Sequence, residues 1–111
     1  MAFDLELADR VRFFIEGEDG LSEKRMFGGL AFLIHGNMAV AVSSKGGLMV
    51  RVDPDDTVEL VGRVGVDRMQ MRGREMGGWL RVTAQTVAAD DDLERWVACG
   101  VGYARSLPPK R

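Results

Sequence analysis

The sequence predicts an α+β domain, a three-stranded antiparallel meander and a later hairpin pair with helices around them, in the order αβββαββα. Three observations carry that expectation. Near both ends of the chain apolar residues recur at three- and four-residue spacing, as a helix with one buried stripe requires. Between those ends the apolar residues alternate singly, the repeat of a strand. Glycines interrupt the alternation at short intervals, and glycine supplies the positive φ angles on which chain reversals depend.

The first helix is predicted from Asp4 to about Glu16, with Leu7, Ala8, Val11, Phe14 and Ile15 on its buried stripe. Acids near its start suit the positive end of the helix dipole. Gly17 and the Glu18-Asp19-Gly20 turn end it. The next stretch, from Lys24 to Val52, reads as three strands in an antiparallel meander. Leu30, Phe32 and Ile34 alternate with Ala31 and Leu33, a two-residue type II′ hairpin is expected at Gly36-Asn37, and Met38, Val40 and Val42 continue the alternation. A second reversal spans Ser43 to Gly47 and leads into Leu48, Val50 and Val52. Gly28-Gly29 is placed inside the first of these strands as a bulge or kink.

Asp53-Pro54 opens a short helix, because aspartate caps free N–H groups and proline at the first helical position loses nothing by lacking one. Val58 and Val61 are expected to point inward and Gly62 to end it. Val66 to Met71 and Trp79 to Thr83 read as a hairpin pair joined by a loop over Arg72 to Gly78. The last helix starts at Asp90-Asp91-Asp92, where acids cap the N–H groups, and runs to about Leu107, before Pro108-Pro109. Leu93, Trp96, Val97, Gly100, Val101 and Ala104 share one face, and Gly100 at its middle predicts a backbone lying close against the sheet.

At 111 residues the chain is the size of one domain, so residues 1 to 111 are taken as a single unit. One cysteine, Cys99, leaves no partner for an internal disulfide and no CxxC pair for zinc. The acidic N-terminus without a long apolar run, and the lack of any span-length apolar segment, lead to the expectation of a cytoplasmic protein free of membrane.

No catalytic, metal-binding or cofactor-binding residue is predicted. His35 stands alone in an expected turn, and Cys99 lies beside the buried face of the last helix. Gly28-Gly29, Gly46-Gly47 and Gly77-Gly78 lack the flanking residues of a phosphate loop. The clusters Asp53, Asp55, Asp56 and Asp90 to Asp92 each stand at a helix start, where capping accounts for them. The chain is therefore expected to bind rather than to catalyse.

A net charge of −2 offers phosphates no overall attraction, yet the charge is unevenly spread. Residues 1 to 23 hold Asp4, Glu6, Asp9, Glu16, Glu18, Asp19 and Glu23 against Arg10 and Arg12. Residues 68 to 81 hold Arg68, Arg72, Arg74 and Arg81 against Glu75, and with Trp79 these arginines form the candidate partner-binding set. Their solvated-face reading is the plainer one. Of the seven methionines, Met69, Met71 and Met76 are candidates for an adaptable partner surface.

The run Lys24-Arg25-Met26-Phe27-Gly28-Gly29-Leu30-Ala31-Phe32, followed by His35-Gly36-Asn37-Met38-Ala39-Val40, resembles the N-terminal domain of the TfoX/Sxy family. Leu48-Met49-Val50-Arg51-Val52, Gly77-Gly78-Trp79 and the ending Ala104 to Lys110 extend the likeness over nearly the whole chain. The resemblance implies an α+β fold in two layers, a five-stranded antiparallel sheet packed with helices in the same order αβββαββα, with Phe27 in the core. It also implies a regulator of natural competence that acts with a cyclic-AMP-responsive transcription factor. Full-length members carry a second, helical C-terminal domain, which this sequence, ending at Arg111, is expected to lack. The leading expectation is a small regulatory or adaptor domain that binds a protein, a transcription factor among the candidates, and forms a homodimer. The alternatives are direct nucleic-acid binding through the Arg-rich hairpin and binding of a small ligand.

Overall fold

The computed structural model describes residues 3–26, 28–56, 60, 65–71 and 74–109, apart from the side chains of 68–71 and 74–77. Helix α1 spans Leu5–Ile15, as its spacing predicts. Asp4 caps it, its Oδ1 accepting from the backbone N–H groups of Glu6 at 3.0 Å and Leu7 at 3.2 Å. Leu7, Ala8, Val11 and Ile15 are buried, while Phe14 packs only partly against the core.

The sheet has six strands, not five. Strands β1 (Leu21–Met26), β2 (Gly29–Ile34), β3 (Asn37–Val42) and β4 (Leu48–Arg51) form a continuous antiparallel meander. Gly28 is therefore a turn residue between two strands rather than a bulge within one, and its φ of +76° is the left-handed conformation that lets β1 reverse into β2. The extra strand escapes sequence reading because Leu-Ser-Glu-Lys-Arg-Met has no alternating apolar set. It lies at the edge of the sheet with Ser22 to Arg25 exposed, so nothing selects for alternation there.

The β2–β3 hairpin also differs from expectation. Ile34 pairs with Asn37, so the two turn residues are His35 and Gly36, with φ of +50° and +82°. Two positive φ values make a type I′ turn, whose twist matches that of the flanking strands, and histidine takes the first of them in place of the expected glycine. Past the hairpin the register shifts: Phe32 faces Val40 and Leu33 faces Met38, which leaves Ala39 as the bulged residue.

After β4 the Asp53 carboxylate accepts from the N–H of Asp55 at 2.9 Å, the cap that the sequence predicts, but the helix it opens is a 3-10 turn over Pro54–Asp56. Leu60 is helical and packs against the core; Val58, Val61 and Gly62 lie outside the described residues, as does Phe27. Strand β5 covers Val66–Met71, as predicted. Strand β6 runs from Arg74 to Val82, absorbing most of what reads in the sequence as a loop. The order across the sheet is β1-β2-β3-β4-β6-β5.

Helix α2 spans Asp90–Ser106. Its N-cap position is Ala89, without a side-chain cap, so the three aspartates do not cap in the expected way. Asp90 instead takes Arg10 of α1, whose Nη2 lies 2.9 Å from Oδ1 and also donates to the carbonyls of Val87 and Ala88 at 3.0 Å each. Both helices pack on one face of the sheet over Phe32, Ile34, Val40, Val42, Leu48, Val50, Leu80 and Val82. A smaller cluster of Ala31, Ala41 and Met49, aligned across three strands, is flanked by Met26, Leu33 and Met38.

The close approach expected at Gly100 is present. A side chain there would drive its Cβ into the carbonyl oxygen of bulged Ala39 and stand 2.8 Å from Val40 Cγ1. The bulge and the glycine answer each other, since one pushes backbone toward the helix and the other leaves room for it. At the far end of α2, Asn37 Nδ2 donates to the carbonyl of Pro108 at 2.9 Å, and Arg105 pairs with Glu18 beyond α1. Among the described residues no helix is long and apolar enough to cross a membrane.

Candidate functional site

The arginine-rich hairpin is the first candidate. Trp79 and Arg81 stand two residues apart on β6, so their side chains leave the same face of the sheet, opposite to that of Leu80 and Val82. Arg51 lies across from Trp79, and its guanidinium carbon is 5.2 Å from the Trp79 ring centroid and 5.7 Å from that of Tyr103 on α2. Trp79 is thus half-buried beneath a cation of its own chain. Arg81 lies opposite Met49 on one side and Asp67 on the other. Arg68 is aligned with Leu80 and Arg74 with Met71; their side chains, those of Met69, Met71 and Met76, and the whole of Arg72 lie outside the description. Trp79 and Arg81 are the members of the set that the structure brings together, and an acid accompanies them.

A second surface is absent from the sequence reading. Phe13 on α1 is 73% exposed and Leu5 46%, and no other large hydrophobic side chain among the described residues is as open. Leu5, Asp9 and Phe13 follow at four-residue spacing and so form one ridge of the helix, on the side away from Val11 and Ile15. Phe13 meets the ring of Phe14 edge-on at 5.2 Å. The available signal was negative: a phenylalanine that falls off the buried stripe of its own helix.

Glu6, Asp9 and Glu16 are exposed, whereas Arg10 turns down onto Asp90 and the carbonyls before α2. Arg12 is held by Asp9 at 2.8 Å and by both carboxylate oxygens of Glu23 at 2.9 Å. The hydrogen bonds from Arg12 hold the Glu23 carboxyl below the usual carboxylate range, despite partial desolvation, and the same bonds raise the guanidinium further.

The lowered Glu23 acidity fixes the sign of a pH effect. A carboxylate depressed in the folded state contributes its full stabilisation above the unfolded-chain value, about 4.3, and loses it as pH falls through the folded value. Glu23→Gln is therefore expected to flatten the acid limb of the stability curve, measured as urea midpoints from about pH 6 down to about pH 3. The Arg12 and Glu23 side chains are 43% and 36% exposed, so the difference is expected to be small and to shrink in high salt. Parallel curves for the two proteins would contradict it.

His35 is exposed in its turn and Cys99 is half-buried against the core. Among the described residues no three His, Cys, Asp or Glu side chains gather as a metal site. In comparison with known families, a family model, that of the TfoX N-terminal domain, matches residues 15–104. No curated protein and no solved structure matches the chain.

Proposed function

Since the chain belongs to the TfoX N-terminal domain family, we propose that it is a small regulatory or adaptor domain of the cytoplasm that works by binding another protein, as a transcriptional co-regulator. The observation that supports binding is the open ridge of α1, where Phe13 at 73% exposure offers an aromatic ring to a partner. Aromatic side chains of this kind anchor protein interfaces, because they bury much area for few rotatable bonds. Nucleic acid draws less support. The Trp79 ring already carries Arg51, and Asp67 lies across from Arg81, where a phosphate would meet both signs of charge.

The proposal includes a homodimer. Strands β1 and β5 are the edges of the sheet, and pairing an edge across a two-fold axis satisfies backbone groups that would otherwise face water. Multi-angle light scattering of the purified chain at micromolar concentration is expected to give twice the chain mass. A strict monomer rejects the dimer. Affinity purification of the chain from its host is expected to bring down a stoichiometric protein, and a chain that elutes alone at moderate salt rejects the binding reading.

A further inference from the structure

An isolated exposed phenylalanine is ordinary, and what sets Phe13 apart is its company. Leu5 stands two turns away on the same ridge, with exposed Asp9 between them and exposed Glu6 and Glu16 beside them. Of the cations of α1, Arg10 is drawn off the ridge and Arg12 is ion-paired to the ridge's own Asp9, which leaves Glu6 and Glu16 to set the sign of the rim. Arg10 reaches Asp90 at 2.9 Å, and Arg12 is shared between Asp9 and Glu23. The helix thus turns outward an apolar pair flanked by the carboxylates of Glu6 and Glu16.

That rim discriminates among occupants. Phosphates of a nucleic acid and the headgroups of anionic lipid carry the same sign as Glu6 and Glu16 and are repelled. A second copy of α1 would set those acids against themselves, a like-charge juxtaposition that interfaces avoid. A protein surface with basic residues around an apolar recess satisfies both the ring and its rim. Resting on the reading of this chain as a protein-binding domain, we infer that the outward ridge of α1 docks on a partner protein whose surface holds a hydrophobic pocket for Phe13 bordered by lysine or arginine.

The test uses the full chain in its host with photo-crosslinking benzoylphenylalanine at position 13 and, as a control, at Lys45, which is exposed between β3 and β4. A protein captured from position 13 and not from position 45 is then purified and its binding measured directly. Phe13→Ser is expected to weaken that binding by about tenfold or more. Glu6→Lys combined with Glu16→Lys is expected to slow association and to flatten its dependence on salt. All three side chains are exposed, and the cation placed in the first turn of α1 at position 6 is offset by the one placed at its C-terminal end at position 16, so thermal unfolding of the variants is expected to stay close to the parent's, which separates lost docking from lost folding. A nucleic-acid adduct or a crosslinked pair of this chain at position 13 overturns the inference. So does a purified partner that binds Phe13→Ser as tightly as the parent, an outcome that leaves the binding-domain reading standing. A chain that captures nothing at either position and co-purifies with nothing removes both.

Discussion

Gly100→Ala is expected to destabilise the protein by about 1–3 kcal/mol, whereas Gly102→Ala is expected to stabilise it by about 0.5–1 kcal/mol. Both glycines lie inside α2, where alanine is the better helix former and intrinsic propensity favours the change equally. Tertiary contact separates them. At Gly100 the new methyl would meet the Ala39 carbonyl, a backbone atom fixed by its strand, and Val40 Cγ1 at 2.8 Å, whereas at Gly102 nothing lies within 4 Å. Relief would require α2 to lift from the sheet, and Trp96, Val97 and Val101 would lose their packing with it. Urea midpoints followed by circular dichroism would resolve shifts of opposite sign, and stabilisation by both substitutions would place the helix farther from β3 than it is here.

Phe32→Ala is expected to cost about 3–5 kcal/mol. Phe32 is 0% exposed and among the largest fully buried side chains, on the strand between β1 and β3. Truncation removes its transfer free energy and leaves a void that a sheet pinned on both sides cannot close. Phe13→Ala deletes the same atoms from a ring that is 73% exposed and is expected to change stability by no more than about 0.5 kcal/mol. Paired urea curves for the two alanine variants measure the contrast directly. Similar losses would mean that Phe13 is packed, and would remove the exposed ridge along with it.

The elements most legible in the sequence are those whose signals are local. Asp4 at the head of α1, the apolar face of α2, and β5 from Val66 to Met71 need only nearest neighbours to be read, and all three are present. Strand β1 was not legible, because an edge strand can be polar along its length when its pairing with β2 supplies the order. The hairpin was displaced by one residue for a related reason. Sequence favours glycine at the first turn position, but the register of Ile34 with Asn37 assigns that position to His35. Asp90 illustrates the long-range case: its role as partner of Arg10 depends on α1 lying against the start of α2, which no local pattern reveals.

The candidate sites divide in the same way. Arg81 and Trp79 could be found by composition, since cations and an aromatic ring in one strand are visible in print. That Trp79 is already covered by Arg51, which also lies over Tyr103, could not, because these residues come from β6, β4 and α2. Phe13 carries the opposite lesson. Its helix was evident and its position on the wrong side of the stripe was readable, but only the packed structure shows that no described element returns to cover it.

The insertion of β6 between β4 and β5 has a consequence for how the polypeptide reaches this state. During synthesis the meander of β1 to β4 leaves the ribosome first and can zip by short-range reversals, while β4 has no neighbour on its far side until Val82 arrives opposite Leu48. For that interval a strand of Leu-Met-Val-Arg presents bare main-chain groups beside apolar side chains, a template for adventitious pairing between nascent chains. Docking of the β5–β6 hairpin removes the template, so the speed with which this last piece closes sets how much of the protein escapes misassembly.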